Sequence, residues 1–331
     1  MKLIKFFLLF LLVVIFVYGL LWFGSRKKYP VTYGISFNQN HAQSLGLDWK
    51  NVYVEMLDEL KPDYVRIAAM WSQVESVKSV YDFSDVDFMM DRAAKAGTKV
   101  TLVVGQKAPR WPECHVPGWL NYEVAGSSDY LLDYVTGVVE RYKDHPALEI
   151  WQVENEPYIR FAFGECKNYN QDIVKEEITL VKRLDPDHLT MVTDSGELST
   201  WRRAIGVADI FGTTLYRIVQ TPGGRNFSYD WLPASFYRYK AKLWGRDLST
   251  FFVAELQMEP WFTDSNPLDA SVEEQEKTMD VGRMVKHFDY VERIGVPRAY
   301  LWGVEWWYFM KEVNGDERYW NAVRGRLESK F

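Results

Sequence analysis

Short β-rich segments alternate with longer helical segments from residue 31 to residue 304, and this alternation constrains the fold more than any other feature. Eight segments rich in β-branched and aromatic residues predict strands at 31–37, 64–69, 99–105, 148–154, 190–194, 210–216, 251–256 and 299–304. Apolar residues recur between them at three- and four-residue spacing, which predicts helices at 48–61, 86–97, 129–143, 170–184 and 271–295. Strands that alternate with helices indicate a parallel sheet with crossover helices.

Eight strand and helix units within 331 residues fit a closed (β/α)8 TIM barrel, whose usual size is roughly 250 residues or more. An open doubly wound sheet is the main alternative. Its first strand and turn would carry a glycine-rich phosphate loop, and the corresponding stretch GISFNQNHA at 34–42 has none. We therefore predict an α/β barrel over residues 29–331, with no second globular domain.

The N-terminus carries a separate signal, the charge-free stretch FFLLFLLVVIFVYGLLWFG at 6–24. Its 19 residues approach the ~20 that a helix needs to cross a bilayer. Trp22 and Phe23 stand where a cleavable signal peptide would have small residues, so residues 1–28 predict an uncleaved, single-pass membrane anchor. Basic residues flank both sides of the stretch and leave its orientation open.

The two cysteines, Cys114 and Cys166, form no CxxC motif and no Cys/His array with zinc spacing, so we expect neither a metal site nor another cofactor. They are either free thiols or a disulfide, and a disulfide would indicate an oxidising compartment. The net charge of −6 without a long basic run argues against nucleic acid as a partner. The 14 Trp, 20 Tyr and 19 Phe offer many flat faces suited to sugar rings.

Polar side chains stand at the ends of the predicted strands, where the active site of a (β/α)8 barrel forms. They are Asn38 and Gln39, Arg66, Gln106, Asn155 and Glu156, Asp194, Tyr216, Glu255, and Trp302 with Glu305. For any single position, a polar residue that only ends a strand is the simpler explanation. Glu156 and Glu255 differ because they end the fourth and seventh strands, which we expect to face each other across the mouth. Cleavage of a glycosidic bond needs two such carboxyl groups.

Three stretches carry a family resemblance. WQVENEP at 151–157 resembles the Asn-Glu-Pro signature in the fourth strand of clan A retaining glycoside hydrolases, a group that includes cellulases, β-mannanases and β-galactosidases. FFVAELQMEPW at 251–261 is similar to their seventh-strand nucleophile segment, and YLWGVEWW at 300–307 resembles their aromatic eighth strand. The likeness spans essentially the whole chain after the anchor.

The resemblance implies that Glu156 is the general acid/base and Glu255 the nucleophile. Burial and a nearby anionic Glu255 would keep Glu156 protonated at the start. Once Glu255 is a neutral glycosyl ester, Glu156 can ionise and act as the base toward water. In retaining enzymes the two carboxyl groups lie about 5 to 5.5 Å apart.

The resemblance also implies substrate-binding roles for neighbouring positions. Asn155 would hydrogen-bond the sugar 2-hydroxyl, and Arg66 would keep the nucleophile anionic. Tyr216 would contact Glu255, and Trp302 would form the floor under the sugar. Asn38, at the end of the first strand, is a further candidate.

Several alternatives stay open at this point. Glu259 could replace Glu255 as the nucleophile, although Glu255 directly follows the β-rich FFVA segment. Glu305 could contact substrate or form a salt bridge between loops. The loop APRWPECHVPGW at 108–119 offers Trp111 and Trp119 as sugar contacts, whereas a lone loop histidine such as His115 is more often structural.

These features predict a membrane-anchored retaining β-glycosidase that hydrolyses a poly- or oligosaccharide. A non-hydrolytic carbohydrate-binding or cell-envelope assembly protein on the same scaffold is one alternative, and a transglycosylase is another. A barrel that had lost turnover would usually lack one of the two glutamates, and both are present. The anchor, the two cysteines and the substrate class favour an extracytoplasmic barrel.

Overall fold

The computed structural model describes residues 2–120, 127–159, 164–166, 169–221, 223–261 and 267–329. The chain begins with helix α1 (Lys2–Gly24), which is long and apolar enough to cross a membrane and has no residue buried by the rest of the protein. Signal sequences near an N-terminus can pass the same test of length and apolar composition, so α1 is a candidate membrane span.

Eight parallel strands form the closed barrel that the sequence predicts. They are β1 (Thr32–Ser36), β2 (Tyr64–Ala68), β3 (Lys99–Val104), β4 (Leu148–Val153), β5 (Leu189–Asp194), β6 (Ile210–Leu215), β9 (Phe251–Gln257) and β10 (Arg298–Trp302). Their order around the ring is β1-β10-β9-β6-β5-β4-β3-β2. The predicted strands match the observed ones to within one or two residues at each end, because near-continuous apolar runs mark strands that are buried on both faces.

Helices cover the outside of the barrel. They are α2 (Gln39–Ser44), α3 (Trp49–Glu55) with a π-helical end at Met56–Leu60, α4 (Trp71–Val74), α5 (Ser84–Ala96), α6 (Ser127–Tyr142), α7 (Val174–Leu184), α8 (Ser235–Leu243), α9 (Val272–Glu276), α10 (Val281–Glu292), α11 (Val304–Glu312) and α12 (Arg318–Glu328). A 3-10 turn, Leu248–Thr250, precedes β9.

The helix predicted at 271–295 is divided in the structure. Asp280 adopts an extended conformation and its carboxylate accepts a hydrogen bond from the Arg283 backbone N–H, so it caps a new helix, α10, after the short α9. The apolar spacing continues through this break, which is why the sequence pattern reads as one helix.

An antiparallel hairpin interrupts the barrel pattern after β6. Its strands are β7 (Ile218–Gln220) and β8 (Asn226–Ser228). The hairpin lies on the mouth side, because it follows the carboxyl end of a barrel strand and precedes the helix that returns to the opposite end. A second feature of the mouth is the disulfide between Cys114 and Cys166, which joins the loop after β3 to the loop after β4.

Candidate active site

The chain turns sharply at the end of β4, where the WQVENEP stretch at 151–157 places its polar residues. Glu154 and Glu156 both have positive φ, at 62° and 46°, a conformation that non-glycine residues rarely adopt. The buried carboxylate of Glu154 accepts hydrogen bonds from the backbone N–H groups of Gln106 and Lys107, both at 2.7 Å. This bond network ties the end of β4 to the loop after β3 and leaves Asn155 and Glu156 facing the mouth.

A bulge in β9 sets the direction of Glu255. The pairing between β6 and β9 shifts at Ala254, because Thr213 pairs with Val253 and the next residue, Thr214, pairs with Glu255. Bulges of this kind re-aim side chains and are common beside active sites. The sequence predicts that β4 and β9 face each other across the mouth. They are not directly opposite, because only two strands, β5 and β6, separate them on one side of the ring.

The carboxylate of Glu255 is buried and held on both sides. Arg66, from β2, donates from Nη1 to Glu255 Oε1 at 3.0 Å. The Tyr216 hydroxyl donates to Glu255 Oε2 at 2.7 Å. A carboxylate with a guanidinium on one oxygen and a phenol on the other is fixed in position and compensated in charge, which is what a nucleophile in this place would need.

The hydrogen bonds of Asn155 fix the orientation of its amide. Its Oδ1 accepts from Arg66 Nη2 at 2.8 Å, from Thr193 Oγ1 at 3.1 Å and from Gln152 Nε2 at 3.3 Å. The amide NH2 group is therefore the end that is available as a donor, and it interacts with the carboxyl group of Glu113. The amide is thus oriented to donate to an acceptor in the mouth.

Glu156 is in a different electrostatic state from Glu255. Burial, followed by the negative charges of Glu255 and Glu113, raises the pKa of Glu156 well above its ordinary value. Thr214 donates a hydrogen bond to Glu156 Oε1 at 3.0 Å, and the Glu156 backbone N–H donates to Thr193 at 2.9 Å. The site therefore combines a carboxyl group whose pKa is raised with one that is paired to an arginine.

Glu259 lies apart from Glu255 in an ion-paired cluster. Arg110 donates to both oxygens of Glu259, through Nη1 and through Nη2, the second at 2.9 Å. Burial works to raise the pKa of Glu259, but the Arg110 guanidinium and His41 outweigh it and lower that pKa to about 2. Arg110 therefore binds both oxygens of Glu259. Among the charges that act on Glu156, that of Glu255 has the largest effect.

Glu305 belongs to the same cluster. It accepts from Arg110 Nη2 at 3.0 Å and from the Asn38 backbone N–H at 2.6 Å, so it forms a salt bridge from the first turn of α11 to the loop after β3. The ligand atoms of His41, Glu259 and Glu305 lie within 4.8 Å of one another, close enough to hold a metal ion. Arg110 pairs with both carboxylates and supplies the positive charge that a cation would bring to this group.

Arg110 also covers the indole of Trp302. Its guanidinium carbon lies 4.1 Å from the centre of the ring, and Trp302 is only 6% exposed. The face that the sequence assigns to a sugar is therefore in contact with an arginine in this structure. A sugar that stacks on Trp302 has to displace Arg110 or bind beside it.

The remaining predicted contacts are divided between the mouth and the packing around it. Trp111 is 64% exposed on the loop after β3. Trp119 instead packs edge-on against Trp71, and its indole N–H donates to the Glu75 carbonyl at 2.7 Å. Asn38 caps α2 by accepting from the His41 N–H at 2.9 Å.

His115 behaves as a structural residue. Its ring nitrogen lies 3.3 Å from the Arg110 carbonyl, its backbone N–H donates to the Gln106 carbonyl, and burial lowers its pKa to about 4. The ring is therefore neutral at physiological pH and helps to hold the loop after β3.

Sequence reasoning missed the charged residues that this loop brings to the site. Arg110 and Glu113 both have positive φ, at 80° and 70°, and Glu113 directly precedes the disulfide-bonded Cys114. Burial, followed by repulsion from Glu255, raises the pKa of Glu113 to about 7 against the opposing charge of Lys107. The loop sequence has no period or motif that reports where these side chains point.

The closed ring of eight parallel strands defines a fold class, the (β/α)8 or TIM barrel. No known protein-family profile matches the chain. Solved structures with this fold include GH5 and GH10 proteins and β-galactosidases, which confirms the resemblance found in the sequence.

Individual similarities are remote. The GH5_18 structure from Bifidobacterium longum superimposes with a TM-score of 0.59 and 16% identity, covering 82% of this chain and 69% of that one. The β-galactosidase from Rahnella gives a TM-score of 0.56 and 13% identity, covering 84% and 51%.

The chain also matches part of a curated relative, the β-galactosidase LacZ of Heyndrickxia coagulans. The two are 27% identical over an alignment of 159 residues, and the match covers 41% of this chain and 24% of the relative. The match thus spans about a quarter of that protein, and the structural likeness defines the fold rather than the substrate.

Proposed function

We propose that the chain is a membrane-anchored retaining β-glycosidase, with residues 1–28 as the anchor and residues 29–331 as the catalytic domain. The observation that carries the proposal is the contrast between two carboxyl groups at one mouth. Glu255 is paired with Arg66 and Tyr216, whereas Glu156 has a strongly raised pKa. Acid-assisted displacement at an anomeric carbon requires one carboxyl group that holds its proton and a second whose charge is compensated and whose position is fixed.

The proposed reaction has two chemical steps. Glu255 bonds to the anomeric carbon as the glycosidic C–O bond breaks, and the proton of Glu156 passes to the leaving oxygen. Burial contributes most to the raised pKa of Glu156, and conversion of Glu255 to a neutral ester removes the repulsion that raises this pKa further. Glu156 then takes a proton from water, whose oxygen bonds to the anomeric carbon and releases Glu255.

Neighbouring side chains support the same proposal. The donor end of Asn155 suits the sugar 2-hydroxyl, and the fork of Arg66 holds Asn155 and Glu255 in one arrangement. The exposed indole of Trp111 suits an outer sugar. The disulfide supports an extracytoplasmic position, since disulfides persist in oxidising compartments.

Covalent trapping tests the proposal. Full-length protein in detergent is incubated with activated 2-deoxy-2-fluoro β-glycosides of gluco, galacto and manno configuration, and the labelled residue is located by peptide mass. We expect one adduct, on Glu255, that is lost in Glu255→Gln and retained in Glu259→Gln. An adduct on Glu259 would reverse the assignment, and no adduct with any probe would contradict a retaining mechanism.

Protease digestion of right-side-out cells tests the location. An extracytoplasmic barrel is cleaved in intact cells, whereas a cytoplasmic barrel is protected until the cells are lysed.

A further inference from the structure

Helix α1 packs along α8 in a defined direction. The Tyr18 hydroxyl donates to the Trp231 carbonyl at 2.7 Å, and the Ser235 hydroxyl donates to the Leu21 carbonyl at 2.5 Å. Further along both segments, Arg238 donates to the Gly24 carbonyl at 2.7 Å. The contacts run in the same order in the two segments, so α1 and α8 are parallel.

The direction of α8 is fixed by the barrel. It follows β6 and leads back to the start of β9, so it runs from the mouth to the opposite end. Because α1 runs the same way, its last turn lies toward the end away from the mouth. The chain then enters β1 at that end, where the Thr32 N–H bonds to the Pro297 carbonyl just before β10.

The free part of α1 therefore projects past the mouth. Residues 2–17 precede the first of these contacts and extend about 24 Å at roughly 1.5 Å per residue. This is shorter than the ~30 Å hydrocarbon core of a bilayer. A spanning α1 thus brings Tyr18, and with it Trp231, to the membrane surface.

Exposed apolar side chains stand on the mouth side in separate loops. Trp111 follows β3 and Leu198 follows β5, with exposures of 64% and 59%. Phe227 and Trp231 follow β6, and Trp231 is 56% exposed. Tryptophan and other large apolar residues are favoured where a protein meets the headgroup region of a bilayer.

We propose that the mouth of the barrel faces the bilayer surface and that its substrate is a glycan attached to a membrane lipid. This rests on the proposed function and on α1 being a membrane span. A mouth apposed to the headgroups receives sugars that are carried on lipids and excludes bulky soluble polymers. Hydrolysis releases the sugar, and the glycosidic oxygen stays on the lipid as a hydroxyl group that carries the proton from Glu156.

Two matched cysteine variants test the orientation without measuring activity. Leu198→Cys lies beyond the mouth end of β5, and Leu189→Cys lies at the other end of the same strand, with wild-type exposures of 59% and 50%. Each full-length variant carries an environment-sensitive fluorophore at the new thiol and is reconstituted in vesicles with doxyl-labelled lipid. We expect quenching of about twofold at position 198, as for a headgroup-level probe, and none at 189. Quenching at 189, or at neither site, overturns the orientation.

Vesicles also test the substrate class. The sugar identified by trapping is supplied as a long-chain alkyl β-glycoside, either in the vesicles that hold the enzyme or in separate vesicles. We expect hydrolysis about 10²-fold faster in the shared membrane, where the effective concentration is high. Equal rates, or no hydrolysis in either arm by a protein that forms the trapped adduct, overturn the inference and leave the glycosidase proposal standing. Failure to form any adduct refutes both.

Discussion

Removal of Arg66 is the perturbation whose effect the structure specifies most closely. The guanidinium is fully buried and donates to Gln152 at 2.7 Å, to Asn155 at 2.8 Å and to Glu255 at 3.0 Å. Arg66→Met keeps most of the side-chain volume but leaves the Glu255 carboxylate buried without its counter-charge. Breaking a buried pair from one side costs about 3–5 kcal/mol. That is a large part of the roughly 5–15 kcal/mol that stabilises a folded protein.

The double variant Arg66→Met/Glu255→Leu distinguishes a lost charge from lost packing. Removing both partners of a buried pair is far less costly than removing one, so we expect the double variant to recover about 2 kcal/mol or more over Arg66→Met. Urea denaturation of the full-length protein in detergent, followed by tryptophan fluorescence, gives both free energies.

A matched arginine at the opposite end of the barrel is the control. Arg298 donates to both oxygens of Glu149, at 2.7 and 2.9 Å, and stacks on Tyr64. Arg298→Met should lower stability without affecting covalent trapping at Glu255. A free energy of unfolding for Arg66→Met within about 1 kcal/mol of wild type, or a double variant no more stable than the single one, would refute a buried charge pair at this position.

Three further predictions concern charge and cross-linking. In the proposed mechanism Glu156 must be protonated for the first step, so kcat/KM should fall as pH rises through its raised pKa. Glu113→Gln removes a neighbouring negative charge and should move this basic limb to lower pH, whereas an unmoved limb would contradict the coupling. Replacing Cys114 and Cys166 by serine removes a disulfide with a sequence separation of 52 residues and should lower the free energy of unfolding by about 4 kcal/mol, measured by urea denaturation without reductant. Wild-type protein under reductant should have the same free energy of unfolding as the variant. The pKa of Glu259 is lowered from 4.5 in the unfolded chain to about 2 in the folded protein. Its ionised form therefore contributes about 3 kcal/mol to the free energy of unfolding above pH 4.5, and this contribution is lost as pH falls toward 2. Urea denaturation midpoints across this pH range should fall less in Glu259→Gln than in wild type.

The barrel could be predicted from the sequence because its strands are buried on both faces. Such strands are continuous apolar runs, and each is followed by a helix with apolar spacing of three and four residues, so the repeat is visible without any contact information. The break between α9 and α10 escaped prediction, since the apolar spacing continues through Asp280 and only the capping bond marks it.

The place of Glu156 and Glu255 near the mouth could also be predicted, because both lie close to the carboxyl ends of barrel strands, whose position is fixed by topology. Their different electrostatic states depend on side chains from other strands and loops. Arg66 and Tyr216 reach Glu255 from β2 and from the end of β6, and Glu113 reaches the site from the loop after β3.

The sequence by itself determined the barrel, the polar ring at its mouth and the apolar N-terminal helix, because each depends on local periodicity or on a regular repeat. Only the tertiary structure decided that Arg110 covers Trp302, that Glu259 is held in an ion-paired cluster, and that α1 projects past the mouth. Those features arise from contacts between residues far apart in the chain, which depend on loop conformation and packing direction and leave no period in the sequence.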